Sequence, residues 1–262
     1  MNRLTPIVKN LLIINVVVYF GSSFVSANAN QYLGLYYFAS PNFYPFQFFT
    51  YMFAHGGFGH LFFNMLGLFF LGPLLEQFWG SKKFVTFYLV TGLGAALIYN
   101  GIQYFTIKPM ERDMISYEYN PTPDKFYSFV TEHFPRQSTQ IYQFYESFSE
   151  NPNNEAKQKE SVLYVQQIYR MKLNIPMVGA SGAIYGLLMA IALLFPNTQF
   201  MLLFPPIPIK AKYLALILGG ISLFSGFQGN VGDNVAHFAH LGGMVFAFIL
   251  IRIWKKDRSN FY

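Results

Sequence analysis

The chain has 262 residues, of which 53% are hydrophobic, 20% aromatic and only 11% charged. A soluble domain carries roughly 25% charged residues, so much of this surface meets something other than water. The net charge of +6 would suit nucleic acid, but the basic residues flank apolar runs instead of forming a patch with stacking aromatics. The absence of cysteine excludes disulfides and thiolate metal sites.

Six apolar segments are predicted as membrane helices, because in hydrocarbon the backbone must satisfy its own hydrogen bonds and a crossing takes ~20 residues. Alternating strands of the barrel type are absent. The first segment, about 7–25, reads as an uncleaved signal anchor. Arg3, Lys9, the run Leu11–Phe20 and Ala27-Asn28-Ala29 also have the layout of a cleaved signal peptide, which would leave five crossings. The second and third segments cover about 60–78 and 84–105. Residues 106–178 are an insertion with Pro109, Pro121, Pro123, Pro135 and Pro152 and no 20-residue apolar run. Within it, 124–134, 138–149 and 155–172 are predicted as short amphipathic helices, the first started by Thr122-Pro123-Asp124. The last three segments cover about 179–204, 211–227 and 235–254.

Charge sets the expected orientation. With the N-terminus in the cytoplasm, ten of the eighteen Lys and Arg fall on the inner side: Arg3, Lys9, Lys82, Lys83, Lys210, Lys212, Arg252, Lys255, Lys256 and Arg258. The short outer segments 26–59 and 228–234 hold none. The other eight lie in 106–178 with nine acidic residues, and long loops escape the positive-inside rule. The expected architecture is all-α, a multi-pass bundle of six transmembrane helices in the cell membrane with both termini cytoplasmic. Residues 1–105 supply helices one to three and 179–256 helices four to six. Residues 106–178 form a long extracytoplasmic loop between helices 3 and 4, and 257–262 a cytoplasmic tail.

Polar groups inside membrane helices are costly and mark function. His60 and Asn64 share one face of the second helix. Ser181 opens the fourth within Gly179-Ala180-Ser181-Gly182, and His240 lies in the sixth within Ala239-His240-Leu241-Gly242-Gly243. Helices two, four and six all run from outside to inside, so these residues converge in the outer half of the bilayer. Small residues at every fourth position, Gly182-xxx-Gly186-xxx-Ala190 and Ala239-xxx-Gly243-xxx-Ala247, permit close helix approach. A serine hydroxyl is a weak nucleophile until a base takes its proton, and His240 suits that task. His60, Asn64 and the Ser181 N–H are available to the oxyanion. No Asp or Glu lies at that depth to orient the imidazole, so a dyad is expected. Asp233, seven residues before His240, is expected to cap the sixth helix. His237 is expected one turn outward facing the site's mouth, and His55 in a loop. Glu76 is expected as a hydrogen-bond anchor or a partner for nearby lysines.

These motifs resemble the rhomboid family of intramembrane serine proteases. The family's Gly-x-Ser-Gly is matched by Gly179–Gly182, its Ala-His-x-x-Gly by Ala239–Gly243, and its His-x-x-x-Asn by His60 and Asn64, with Gly72, Glu76 and Gly80 continuing the second-helix pattern. The resemblance covers about 7–105 and 176–254 and not the insertion. It implies a serine endopeptidase with Ser181 as nucleophile, His240 as base, and His60 and Asn64 at the oxyanion. It also implies Tyr185 packed on the imidazole, Gly179, Gly182 and Gly243 in supporting positions, and an access path for substrate between the second and fifth helices. The implied partners are transmembrane protein substrates and the lipid bilayer, with no nucleic acid, metal or cofactor. Two departures from the family pattern stand out: Phe46-Gln47 in place of a frequent Trp-Arg pair, and Ala247 in place of a glycine.

Three other readings compete. A catalytically silent rhomboid-like protein binding transmembrane clients would be expected to lack Ser or His. A metalloprotease using His237-x-x-His240 with His55 or His60 lacks the His-Glu-x-x-His helix. A small transporter would place its polar set at the midplane and show an inverted repeat.

Overall fold

The computed structural model describes residues 4–25, 29–134, 139–202, 205–228 and 234–259. Eleven α-helices carry nearly all regular structure among them: α1 (Pro6–Val25), α2 (Ala29–Leu33), α3 (Gln47–Thr50), α4 (Phe58–Trp79), α5 (Ser81–Tyr119), α6 (Pro123–His133), α7 (Thr139–Glu150), α8 (Glu155–Leu173), α9 (Ser181–Leu194), α10 (Ala211–Phe227) and α11 (Asn234–Ser259). Strands β1 (Gln199–Met201) and β2 (Pro208–Lys210) pair antiparallel, Phe200 opposite Ile209. The protein is thus all-α apart from one short hairpin. Helices α4 and α5 and the His237–Lys255 part of α11 are long and apolar enough to cross a membrane, and α1, α9 and α10 are shorter apolar helices.

The chain divides into two units, Met1–Asn100 with Pro176–Tyr262, and Gly101–Ile175. In the first, α9 is the central element, packed by α4, α10 and α11. Its inward residues Leu187, Leu188 and Ile191 join Leu68, Leu75, Phe84 and Phe87 in one core. Large apolar residues also point outward, with Phe24 88%, Leu216 71% and Phe227 76% exposed. An outer surface this apolar fits lipid and not water.

The predicted fourth segment, 179–204, is corrected: α9 ends at Leu194 and the rest turns into the β1–β2 hairpin. Pro196 brings no N–H to an α-helical bond, and Pro205, Pro206 and Pro208 keep the following chain from resuming a helix. The stop leaves α9 about 21 Å long, at 1.5 Å per residue.

One buried carboxylate ties three helices. Glu76, 3% exposed near the end of α4, accepts from the Ile7 and Val8 N–H groups at 3.0 Å each and from the Ser81 hydroxyl at 2.7 Å. It thereby satisfies two of the N–H groups that the first turn of α1 leaves without intrahelical acceptors and holds the start of α5. Of the two roles expected for Glu76, the structure shows the anchor.

Among the described residues of the second unit, the regular structure is helical. The predicted helices 124–134, 138–149 and 155–172 correspond to α6, α7 and α8. Thr122 caps α6 by accepting from the Lys125 N–H, and Asn154 caps α8 by accepting from Ala156 and Lys157. The expected break after residue 105 does not occur, because α5 continues through Pro109 to Tyr119. Met110, Met114 and Tyr117 recur on one face there and pack with Phe126, Phe129, Phe148, Val165 and Ile168. Burial of that face outweighs the one hydrogen bond that Pro109 removes. The Tyr117 hydroxyl donates to Ser161 Oγ, which donates to the Gln158 carbonyl, so this core leaves neither hydroxyl unsatisfied.

Replacing Glu76 by Ala strands two N–H groups at the start of α1. Thermal unfolding in detergent is expected to show a loss of about 2–4 kcal/mol, and Glu76→Gln, which keeps an acceptor oxygen, a smaller one.

Candidate functional site

Ser181 is the first residue of α9, so its own N–H has no intrahelical acceptor. The approach to it is pinned from below and from the side. Met177 and Leu35 exchange both backbone hydrogen bonds at 2.8 Å, and the Gly179 N–H donates to the Tyr51 carbonyl at 2.8 Å. The buried Tyr51 side chain in turn donates to the Gly92 carbonyl of α5 at 2.7 Å. Gly179 has φ +113°, a conformation that L side chains rarely adopt. A Cβ there would lie 2.5 Å from His60 Nε2 and 3.4 Å from Asn64 Nδ2, so the side chains of His60 and Asn64 both abut the residue two before Ser181.

His240 enters from α11. Its Nε2 lies 2.8 Å from Ser181 Oγ. When Nε2 accepts from the hydroxyl, the ring proton sits on Nδ1. Nδ1 is buried and has no hydrogen-bond partner among the described residues, so none of their carboxylates holds the ring. Tyr185, one turn after Ser181, holds it instead: the two rings stack with centroids 4.3 Å apart and planes 7° from parallel. Both Ser181 and His240 are half-buried.

The small residues make this approach possible, though not as two facing stripes. A Cβ on Gly243 would overlap the Gly182 carbonyl, so Gly243 brings α11 onto the backbone of α9. Gly182 and Gly186 mainly admit α5: a Cβ on Gly182 would meet Ala95 at 2.5 Å, and one on Gly186 would meet Thr91 at 2.8 Å. Ala247 is fully buried and lets the lower turns of α11 stay close. One helix face thus serves a third partner that the spacing alone did not name.

Two further histidines, His55 and His237, lie nearby. His55 lies in the loop before α4, fully buried, with its ring 5.1 Å from that of His60. Burial, then the neighbouring His60, brings His55 down to about 4 against its ordinary 6.5. Sequence reading missed this neighbour, because five residues in an irregular loop carry no periodic signal. His237 is half-buried, with its ring 6.0 Å from His240 and nearly perpendicular to it. Among the described residues, the group of His, Asp and Glu with three ligand atoms within 4.8 Å of one another is Asp113, Glu132 and His133, in the second unit. The expected cap at Asp233 lies outside the described residues.

The loop that carries Phe46-Gln47 is braced by Gln47. Gln47 is fully buried. Its amide donates to the Tyr32 and Asn42 carbonyls at 3.1 and 3.0 Å and accepts from the Tyr36 and Tyr44 N–H groups at 3.4 and 3.1 Å.

A bundle of apolar helices with a lipid-facing exterior and a polar cluster at one helix start defines a multi-pass membrane protein. The family model of the Rhomboid domain matches residues 42–107 and 160–256, more than half of the chain, and the chain belongs to the rhomboid family. That family consists mostly of intramembrane serine proteases acting on membrane proteins within the bilayer, and it includes inactive members. No curated protein matches the chain.

Alanine at Gly179 must adopt a strained φ and displace the His60 ring. Gly179→Ala is expected to cost about 1–3 kcal/mol in thermal unfolding and to weaken labelling of Ser181 by a fluorophosphonate.

Proposed function

We propose that the protein is an intramembrane serine endopeptidase that cleaves transmembrane segments of membrane proteins near the outer leaflet through a Ser181–His240 dyad. The observation that carries this reading is the 2.8 Å contact between Ser181 Oγ and His240 Nε2 under the Tyr185 ring. In the reaction, Ser181 Oγ attacks the scissile carbonyl while His240 Nε2 takes its proton. Asn64 Nδ2 is a buried donor without a hydrogen-bond partner among the described residues, as an oxyanion donor awaiting its acceptor would be. His60 and the Ser181 N–H complete the set. The imidazolium then protonates the leaving amine, the C–N bond breaks, and water, deprotonated by the same ring, hydrolyses the acyl-enzyme.

The proposed topology is six crossings with both termini in the cytoplasm, with 1–105 and 179–256 as the membrane core, 106–178 outside and 257–262 as a cytoplasmic tail. Its support is the ten basic residues at the inner ends and their absence from the short outer segments. A substrate helix keeps its carbonyls in its own hydrogen bonds, so cleavage requires local unwinding.

Cleavage of a generic transmembrane substrate by purified protein tests the dyad. Wild type is expected to cut with or without EDTA, and Ser181→Ala and His240→Ala to be inactive. Failure of wild type to cut, together with failure of Ser181 to react with a fluorophosphonate, would instead mark a silent protein that binds transmembrane clients. Asn64→Ala is expected to lower kcat by about 10²–10³, as loss of one oxyanion donor does. Substrates whose helix-weakening Gly or Pro near the outer end is changed to Leu should be cut poorly; undiminished cleavage across such a panel rules out the unwinding step.

A further inference from the structure

His60 stands third in α4, and its ring nitrogens meet different neighbours. Nδ1 accepts from the Gly56 N–H at 3.4 Å. That contact has the form of a capping box, in which the third helical residue reaches back to the chain before the helix, here one residue further back than the N-cap Gly57. Nε2 meets the segment before Ser181, since a Cβ on Gly179 would lie 2.5 Å from it and 3.4 Å from Asn64 Nδ2. The fully buried His55 ring stands edge to face against the imidazole, 5.1 Å away. A 3.3 Å contact between its own Nδ1 and the Phe53 carbonyl places His55 in turn.

A backbone N–H can only donate, so Nδ1 of His60 presents its lone pair, and the single proton of the neutral ring sits on Nε2. The sign of this assignment matters more than the strength of one hydrogen bond. An oxyanion forming beside Gly179 and Ser181 is stabilised by an N–H and repelled by a lone pair. With the proton on Nδ1 instead, N–H would oppose N–H at Gly56 and a bare nitrogen would face the developing charge. The His55 ring packs on one side of the imidazole and limits how far it can turn.

We infer that Gly56 and His55 form a positioning element for the oxyanion site: the Gly56 N–H fixes the His60 proton on Nε2, and the His55 ring holds that donor in register with Asn64. Both act through His60. The catalytic consequence rests on the reading of the protein as a serine endopeptidase, whereas the tautomer is a property of the resting protein.

The full-length protein in detergent, with isotope-labelled histidine ring nitrogens, reads the tautomer by NMR at neutral pH, His60 being assigned by its loss in His60→Gln. Wild type is expected to show an unprotonated Nδ1 and a protonated Nε2. A proton on Nδ1, in the other neutral tautomer or in an imidazolium, overturns the inference. Gly56→Pro removes the donor and should populate both tautomers. Its kcat on a transmembrane substrate is expected to fall about tenfold with KM unchanged, less than for loss of the His60 donor because part of the population keeps Nε2 protonated. Gly56→Ala keeps the N–H, and its Cβ would meet Val178 and His60 Nδ1 only at 3.8 and 3.9 Å, so it should keep the wild-type spectrum. His55→Ala should lower kcat with KM unchanged, and His55→Phe, which returns a ring, should recover most of the loss. A Gly56→Pro spectrum identical to wild type, or losses that are equal in all four variants or carried by KM or unfolding temperature alone, overturns the positioning role. Should Gly56→Pro not fold, the wild-type spectrum and the His55 pair still decide. If wild type neither cuts nor reacts with a fluorophosphonate, the proteolytic reading falls and takes the catalytic consequence with it, while the spectrum still judges the tautomer.

Discussion

The contact between the Gly243 position and the Gly182 carbonyl sets how near α11 comes to α9, and the distance between the serine and the histidine follows from it. Helices in lipid gain little from hiding apolar surface from each other, so they associate where their backbones can touch over many atoms. A side chain at Gly243 would push the helices apart by the width of a methyl group, and the 2.8 Å contact would open with them. The same economy appears at Gly182 and Gly186, where α5 closes in through Ala95 and Thr91. Three helices therefore fix the position of one hydroxyl.

The loop before α4 completes that constraint. It reaches the segment preceding Ser181 twice through backbone bonds, from Leu35 and from Tyr51, and it carries His55 against His60. Such a loop needs internal support, since irregular backbone has no ladder of its own. Gln47 provides it by donating twice and accepting twice within a few residues. A neutral amide is sufficient for this bracing and gives the loop a buried centre. Residues 26–59 hold no Lys or Arg.

The two units solve the burial problem in different ways. Gly101–Ile175 has charged residues on its outer faces and an aromatic centre around Phe126 and Phe148, as a water-soluble bundle does. The first unit inverts this at its perimeter, where Phe24, Leu216 and Phe227 face outward. Among its described buried polar groups, Glu76 is fully bonded, while Asn64 Nδ2 and His240 Nδ1 beside Ser181 keep no hydrogen-bond partner.

Much of this was legible in the linear chain. Apolar run length marked α1, α4, α10 and α11 to within a few residues, because a helix facing lipid must be apolar over a long continuous run. The motifs around Ser181, His240, His60 and Asn64 were legible because polar atoms in such runs are too costly to be incidental. Thr122 and Asn154 announced helix starts by the local chemistry of capping. The course of α5 through Pro109 was not legible, since it depends on whether distant residues offer burial that offsets a lost backbone bond, whereas the stop after Leu194 was marked by Pro196, Pro205, Pro206 and Pro208 within an apolar run. The stacking of Tyr185 on His240 was expected from the resemblance alone, while the seat of His55 against His60 and the use of Gly182 and Gly186 by α5 were not to be had from spacing. Sequence determined which residues tolerate lipid and which do not, because that is a property of each side chain. Tertiary structure alone decided which of the polar ones meet, because contact between residues 59 positions apart is set by how closely whole helices can approach.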